Sequence, residues 1–89
     1  MEIRKRVGWN LRRLRVARGL AQEALAVDAE IDRTYVSRLE RGLENPTIVV
    51  LDRLAVALDV RIADFFRQPK VGERPPQPLK KGRRRRAEK

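Results

Sequence analysis

Residues 20–47, LAQEALAVDAEIDRTYVSRLERGLENPT, decide the fold. Gln22, Glu23, Leu25 and Ala26 begin a short helix that runs to about residue 28. Asp32 suits the N-cap of a second helix over about residues 33–41, because its carboxylate can accept from an orphan backbone N–H. Tyr35, Val36 and Leu39 are the apolar positions of that helix, and Gly42 stops it. Asn45-Pro46 is a turn signal, and Thr47 can cap another helix. Leu25, Ile31, Val36 and Leu39 face inward and set the crossing of the two short helices, and small Ala26 lets them approach. Arg33, Thr34, Ser37 and Arg38 are left on the outward face.

The same reading extends outward. Upstream, Ile3, Val7, Leu11, Leu14 and Arg18 fall on one helical stripe, which Gly19 ends as a left-handed cap. Downstream, Val50, Leu51, Leu54, Ala55 and Leu58 form a continuous apolar helix face. A short fifth helix over about residues 61–66 brings Ile62, Phe65 and Phe66. The β-branched run Ile48-Val49-Val50 lies inside a helical pattern, so no strand pair is expected. The expectation is an all-α domain of five short helices over residues 1–66.

Composition narrows the chemistry. A chain of 89 residues suffices for one small domain, whose marginal core dimerisation would help. It has no cysteine and no histidine, so disulfides, thiolate metal sites and the commonest general base are out of reach. No paired carboxylates suggest an active site. Asp28, Glu30 and Asp32 cluster at the turn, where capping explains Asp32 and solvation the others. Neither enzyme activity nor a cofactor or metal is expected. No apolar run approaches the roughly 20 residues that span a bilayer, and MEIRKRVGWN has basic residues without an apolar stretch after them. A cytoplasmic protein with no membrane partner is expected.

The net charge is +10, from 22 basic and 12 acidic residues, which favours a polyanionic partner. Its distribution matters more. Residues 1–66 hold 12 basic and 10 acidic residues; residues 67–89 hold 10 and 2. That second segment also carries four of the five prolines and is expected to be a disordered tail. Its run Arg83-Arg84-Arg85-Arg86 resembles a nuclear-localisation or RNA-binding tract. A tail that tracks DNA phosphates is the better reading, and it could alternatively occupy a minor groove or stay solvated. The domain itself is nearly neutral and must be argued from pattern.

Several pieces together resemble one family. They are Leu14-Arg15, Gly19-Leu20-Ala21-Gln22-Glu23-x-Leu25-Ala26, Tyr35-Val36-Ser37-Arg38-Leu39-Glu40-Arg41-Gly42, Asn45-Pro46-Thr47 and Leu51-x-x-Leu54-Ala55-x-Ala57-Leu58. Their spacing is similar to that of the Cro/phage-repressor (xenobiotic-response-element, XRE) helix-turn-helix family, over about residues 7–66. The resemblance implies a lambda-repressor-like domain acting as a homodimeric transcriptional regulator. It would place the helix at about residues 33–41 in the major groove of double-stranded DNA. It implies base contacts from Arg33, Thr34 and Arg38, with Ser37 a fourth candidate. Gln22, Tyr35, Arg41, Asn45 and Thr47 would meet the DNA backbone. Arg15 and Glu40 match a pair that forms an internal salt bridge in the family. Ala21 and Glu30 depart from the pattern: the first stands where serine or threonine usually caps, the second where glycine is common.

Other readings stay open on sequence alone. Arg33, Thr34 and Arg38 could form a solvated helix face. Arg12 and Arg13 could meet phosphate or only water. Trp9 could cover the core edge or a partner surface, and Ile62, Phe65 and Phe66 could be core or dimer seam. With no separate sensor domain expected, regulation would come from expression level, an accessory protein or oligomerisation. The rival function is a protein-interaction module, an antitoxin or anti-activator whose main partner is another protein.

Overall fold

Every helix of the computed structural model, which describes residues 1–70 and 72–74, starts or stops at a chemical signal in the chain. The elements run α1 (Ile3–Ala17), α2 (Gln22–Ala29), α3 (Arg33–Glu40), α4 (Ile48–Leu58) and a 3-10 helix (Ile62–Phe66). No strand occurs among the described residues. The arginine run at 83–86, and with it most of the segment expected to be a disordered tail, lies outside them.

Two side chains cap as the sequence requires. Asp32 accepts from the Thr34 N–H at 3.0 Å to open α3, and Thr47 Oγ1 accepts from the Val50 N–H at 3.1 Å to open α4. Ala21 occupies the N-cap of α2 and supplies no such bond. Left-handed residues close all four α-helices. Gly19 (φ 70) follows α1, Glu30 (φ 58) ends α2, Gly42 (φ 76) follows α3 and Asp59 (φ 56) ends α4.

The core draws on every element. Val7 and Leu11 of α1, Leu25, Ala26 and Ala29 of α2, and Val36 and Leu39 of α3 meet Leu51, Leu54, Ala55 and Leu58 of α4, with Phe65 beneath them. The stripe on α1 holds at its centre and frays at its ends. Val7 and Leu11 are buried and Leu14 is half-buried, whereas Ile3 is 51% exposed and Arg18 lies on the surface. Three buried residues of α1 are not aliphatic: Gly8, Asn10 and Arg15. A β-carbon at Gly8 would overlap the carbonyl oxygens of Leu39 and Glu40, so this glycine lets α1 lie directly on the end of α3. Asn10 is fully buried and donates to the carbonyls of Phe65 (2.9 Å) and Arg67 (2.8 Å), tying α1 to the end of the domain.

The fifth element differs from the expectation of a fifth α-helix. After the left-handed turn at Asp59 the chain makes only a five-residue 3-10 helix, a length typical of that tighter winding. Asp64 N–H instead reaches Arg61 O at 2.9 Å, the tighter i→i+3 pattern, and Asn10 takes the carbonyls that a longer helix would use. Phe65 is also corrected as a seam residue. It has 0% exposure inside its own protomer, so of the three candidates only half-buried Ile62 and 40% exposed Phe66 keep surface for a partner.

Candidate nucleic-acid interface

Helices α2 and α3 meet through a turn of two residues after Glu30. Ala26 is 3% exposed, and its carbonyl accepts from the Ile31 N–H at 2.9 Å, which closes the end of α2. Glu30 accomplishes this at φ 58 without being glycine, a strain of about 1–2 kcal/mol. The left-handed turn is therefore kept at a cost. Val36 and Leu39 are wholly buried, so helical periodicity turns the polar residues of α3 outward. Arg33, Thr34 and Arg38 are exposed, and Ser37 and Tyr35 are half-buried at the border.

Behind this face lies a charged anchor. The Arg15 guanidinium donates from Nε to Glu40 Oε2 (2.6 Å) and from Nη2 to Oε1 (3.1 Å). Its third side, Nη1, donates to the Leu20 carbonyl at 2.8 Å, and Gln22 Nε2 donates to Glu40 Oε1 at 3.0 Å. The side chains of Arg15 and Glu40 are 8% and 4% exposed. One buried network therefore fixes the end of α1, the start of α2 and the end of α3 relative to one another.

A crease of about 550 Å³ lies over that network. Arg12, Gln22, Arg33, Ser37 and Arg41 line it, with Ala21 and Glu23 at the start of α2. Arg12, Arg33 and Arg41 have no ion-pair partner among the described residues. The crease can thus receive an anion from three guanidinium groups and the orphan N–H groups of a helix start. Gln22 belongs to it, although its amide is directed to Glu40.

The remaining candidates divide. Glu44 acts on both Arg38 and Tyr35. Arg38 Nε donates to Glu44 Oε2 at 2.7 Å, while burial and then the Glu44 charge raise the Tyr35 phenol above its ordinary pKa, so it keeps its proton. Thr47 is exposed and spends its oxygen on the α4 cap, leaving its hydroxyl proton to donate. Asn45 is not in the crease. It lines a separate cleft with Ile3, Pro46, Leu51 and Phe66. The basic residues of α1 also divide. Arg12 joins the crease, whereas Arg13 turns away to donate to Asn10 Oδ1 at 3.2 Å and lies 5.9 Å from the centre of the Trp9 ring. Arg67 approaches the same ring at 5.4 Å, so Trp9 covers the joint between α1 and the segment after the 3-10 helix.

Glu44, Gly8 and Asn10 escaped sequence reasoning. A polar residue flanked by the apolar positions Val7 and Leu11 was the available signal for Asn10. A glycine tolerated inside a helix was the signal for Gly8.

A helix-turn-helix family model, HTH_3, matches residues 11–65, the span from α1 through Phe65. The chain belongs to the XRE-type helix-turn-helix family. An uncharacterised HTH-type transcriptional regulator of Sinorhizobium fredii is 47% identical over 60 residues, covering 67% of this chain and 78% of its own. The restriction-modification controller protein C.AhdI of Aeromonas hydrophila superposes with a TM-score of 0.69 at 43% identity, covering 71% of this chain and 96% of its own. The controller C.Esp1396I, solved as a tetramer in complex with its natural 35 base-pair operator, gives a TM-score of 0.68 at 33% identity over 74% of this chain and 87% of its own. The relatives of this helix-turn-helix chain are thus transcriptional regulators and restriction-modification controllers. No helix among the described residues is long and apolar enough to cross a membrane.

Proposed function

We propose that this chain is a sequence-specific, double-stranded DNA-binding transcriptional regulator. In this reading α3 enters the major groove. Arg33, Thr34, Ser37 and Arg38 meet base edges, and an arginine can donate two hydrogen bonds to guanine O6 and N7. Gln22, Tyr35, Arg41, Asn45 and Thr47 meet the backbone and set the register. Arg12 joins them as a phosphate contact. One observation carries the reading: Arg12, Arg33 and Arg41 converge on a single crease at the start of α2, beside the polar face of α3. The operator complex of C.Esp1396I supports the same use of this fold.

The active species in this reading is a homodimer. Phe66 and Ile62 supply its seam, with 51% exposed Ile3 beside Phe66 in the same cleft. Two-fold symmetry then calls for a pseudo-palindromic operator with half-site centres about 34 Å apart, or a multiple of that.

Footprinting of the full chain tests the reading. Protection of a short inverted repeat, competed by that duplex and not by random DNA, is the expected result. Uniform coating of any duplex that vanishes with modest salt contradicts it.

A further inference from the structure

The Arg38–Glu44 pair stands on the face assigned to DNA, and its chemistry is odd there. The two side chains are 44% and 27% exposed, a setting in which an ion pair contributes little to stability. A carboxylate at this position also repels phosphate. Its value must lie in what it does to Arg38.

The geometry is specific about that. Arg38 Nε donates to Glu44 Oε2 at 2.7 Å, and Nη2 leans toward the Leu43 carbonyl at 3.4 Å. The short bond engages the inner, Nε side of the guanidinium, and Nη1 makes no hydrogen bond among the described residues. The outer, Nη1–Nη2 edge can then present two parallel donors. That edge matches guanine O6 and N7. A long arginine otherwise samples many rotamers, and fixing one before binding removes an ordering cost from the specific complex.

We infer that Glu44 is a positioning residue for base selection: it holds Arg38 by its inner edge so that the outer donor pair is presented to a guanine. The inference rests on the proposed DNA-binding reading of α3. Glu44 need not touch DNA. It acts by narrowing the poses of Arg38, so that a base lacking the O6/N7 acceptor pair meets a group that cannot readily swing to another partner. Tyr35 keeps its phenolic proton through burial and, after it, the same charge.

The test uses the full chain, the operator duplex recovered by selection from random DNA, and duplexes changed at each base pair in turn. The pair read by Arg38 is the one whose preference Arg38→Ala abolishes. At that pair Glu44→Ala is expected to reduce discrimination about three- to tenfold, within what one bidentate contact supplies. Affinity for random duplex should rise, because a negative charge is removed. Glu44→Gln, which can still accept from Nε, should retain more discrimination than Glu44→Ala. In an Arg38→Ala background, Glu44→Ala should change no base preference. Discrimination unchanged in both Glu44 variants, with affinity rising uniformly, overturns the inference and leaves Glu44 a repulsive charge. Loss of preference at a different base pair, independent of Arg38, also overturns it, in favour of direct reading by the carboxylate. If Arg38→Ala shifts no preference at all, the assignment of Arg38 as a base reader fails, and the inference falls with it.

Discussion

Arg15 of α1 and Glu40 at the end of α3 are joined by two hydrogen bonds, 2.6 and 3.1 Å, in a site almost closed to water. Three segments meet there: Leu20 before α2 gives its carbonyl to Arg15, and Gln22 within α2 donates to Glu40. Truncating Glu40 to Ala leaves a guanidinium buried with one neutral acceptor. The expected cost is about 3–5 kcal/mol, measured by urea unfolding. Replacing both partners by apolar residues of similar size should cost much less than the sum of the single changes. A small, additive effect of each single change would mean that the pair is solvated in solution.

Asn10 closes the other end of the domain. Its amide donates to Arg6, Phe65 and Arg67 carbonyls while its oxygen accepts from Arg13. Asn10→Ala strands the buried Phe65 carbonyl and should destabilise the fold by about 2–3 kcal/mol. Hydrogen exchange should show early loss of protection in the 3-10 helix, with α2 and α3 less affected.

Ala21 and Glu30 mark where this chain gives up stability. Ala21→Ser supplies the missing cap of α2 and should add about 1 kcal/mol. Glu30→Gly relieves the left-handed strain but loosens the unfolded chain, for a net gain of about 0.5–1 kcal/mol. For a domain of this size each kcal/mol raises the melting temperature by about 4–8 °C. A fall in melting temperature for Glu30→Gly would show that the Glu30 side chain has a stabilising partner in solution.

What was legible in the sequence was local. Asp32 and Thr47 cap because a short acceptor two or three residues from an orphan N–H is enough, whatever packs elsewhere. The Arg15–Glu40 pair was legible through family resemblance, because its partners lie 25 residues apart. Gly8, Asn10 and Glu44 were not, since each is defined by what the folded chain brings to it: the Leu39 carbonyl, the Phe65 carbonyl and the Arg38 guanidinium. The fifth element, expected as an α-helix, is a 3-10 helix whose end is held by the distant Asn10. Phe65 shows the same limit, because an aromatic at the end of the helical region reads alike as core or seam until its neighbours are known.

Beyond Arg74 the sequence adds Lys80, Lys81, Arg83, Arg84, Arg85, Arg86 and Lys89 against a single acidic residue, Glu88. A chain stopped after Arg74 should bind DNA with a shallower dependence on salt, because fewer counterions are released. The preferred sequence should stay the same. A truncated chain that has lost its preference would show that this segment reads bases or groove shape.

Selection of bound duplexes from random DNA addresses the proposed function most directly, run in parallel on the full chain and on Arg33→Ala and Arg38→Ala. The expected result is an inverted repeat, with each substitution relaxing one position per half-site and sparing the rest. An unenriched pool, or an enriched sequence that neither substitution alters, would contradict base reading by α3.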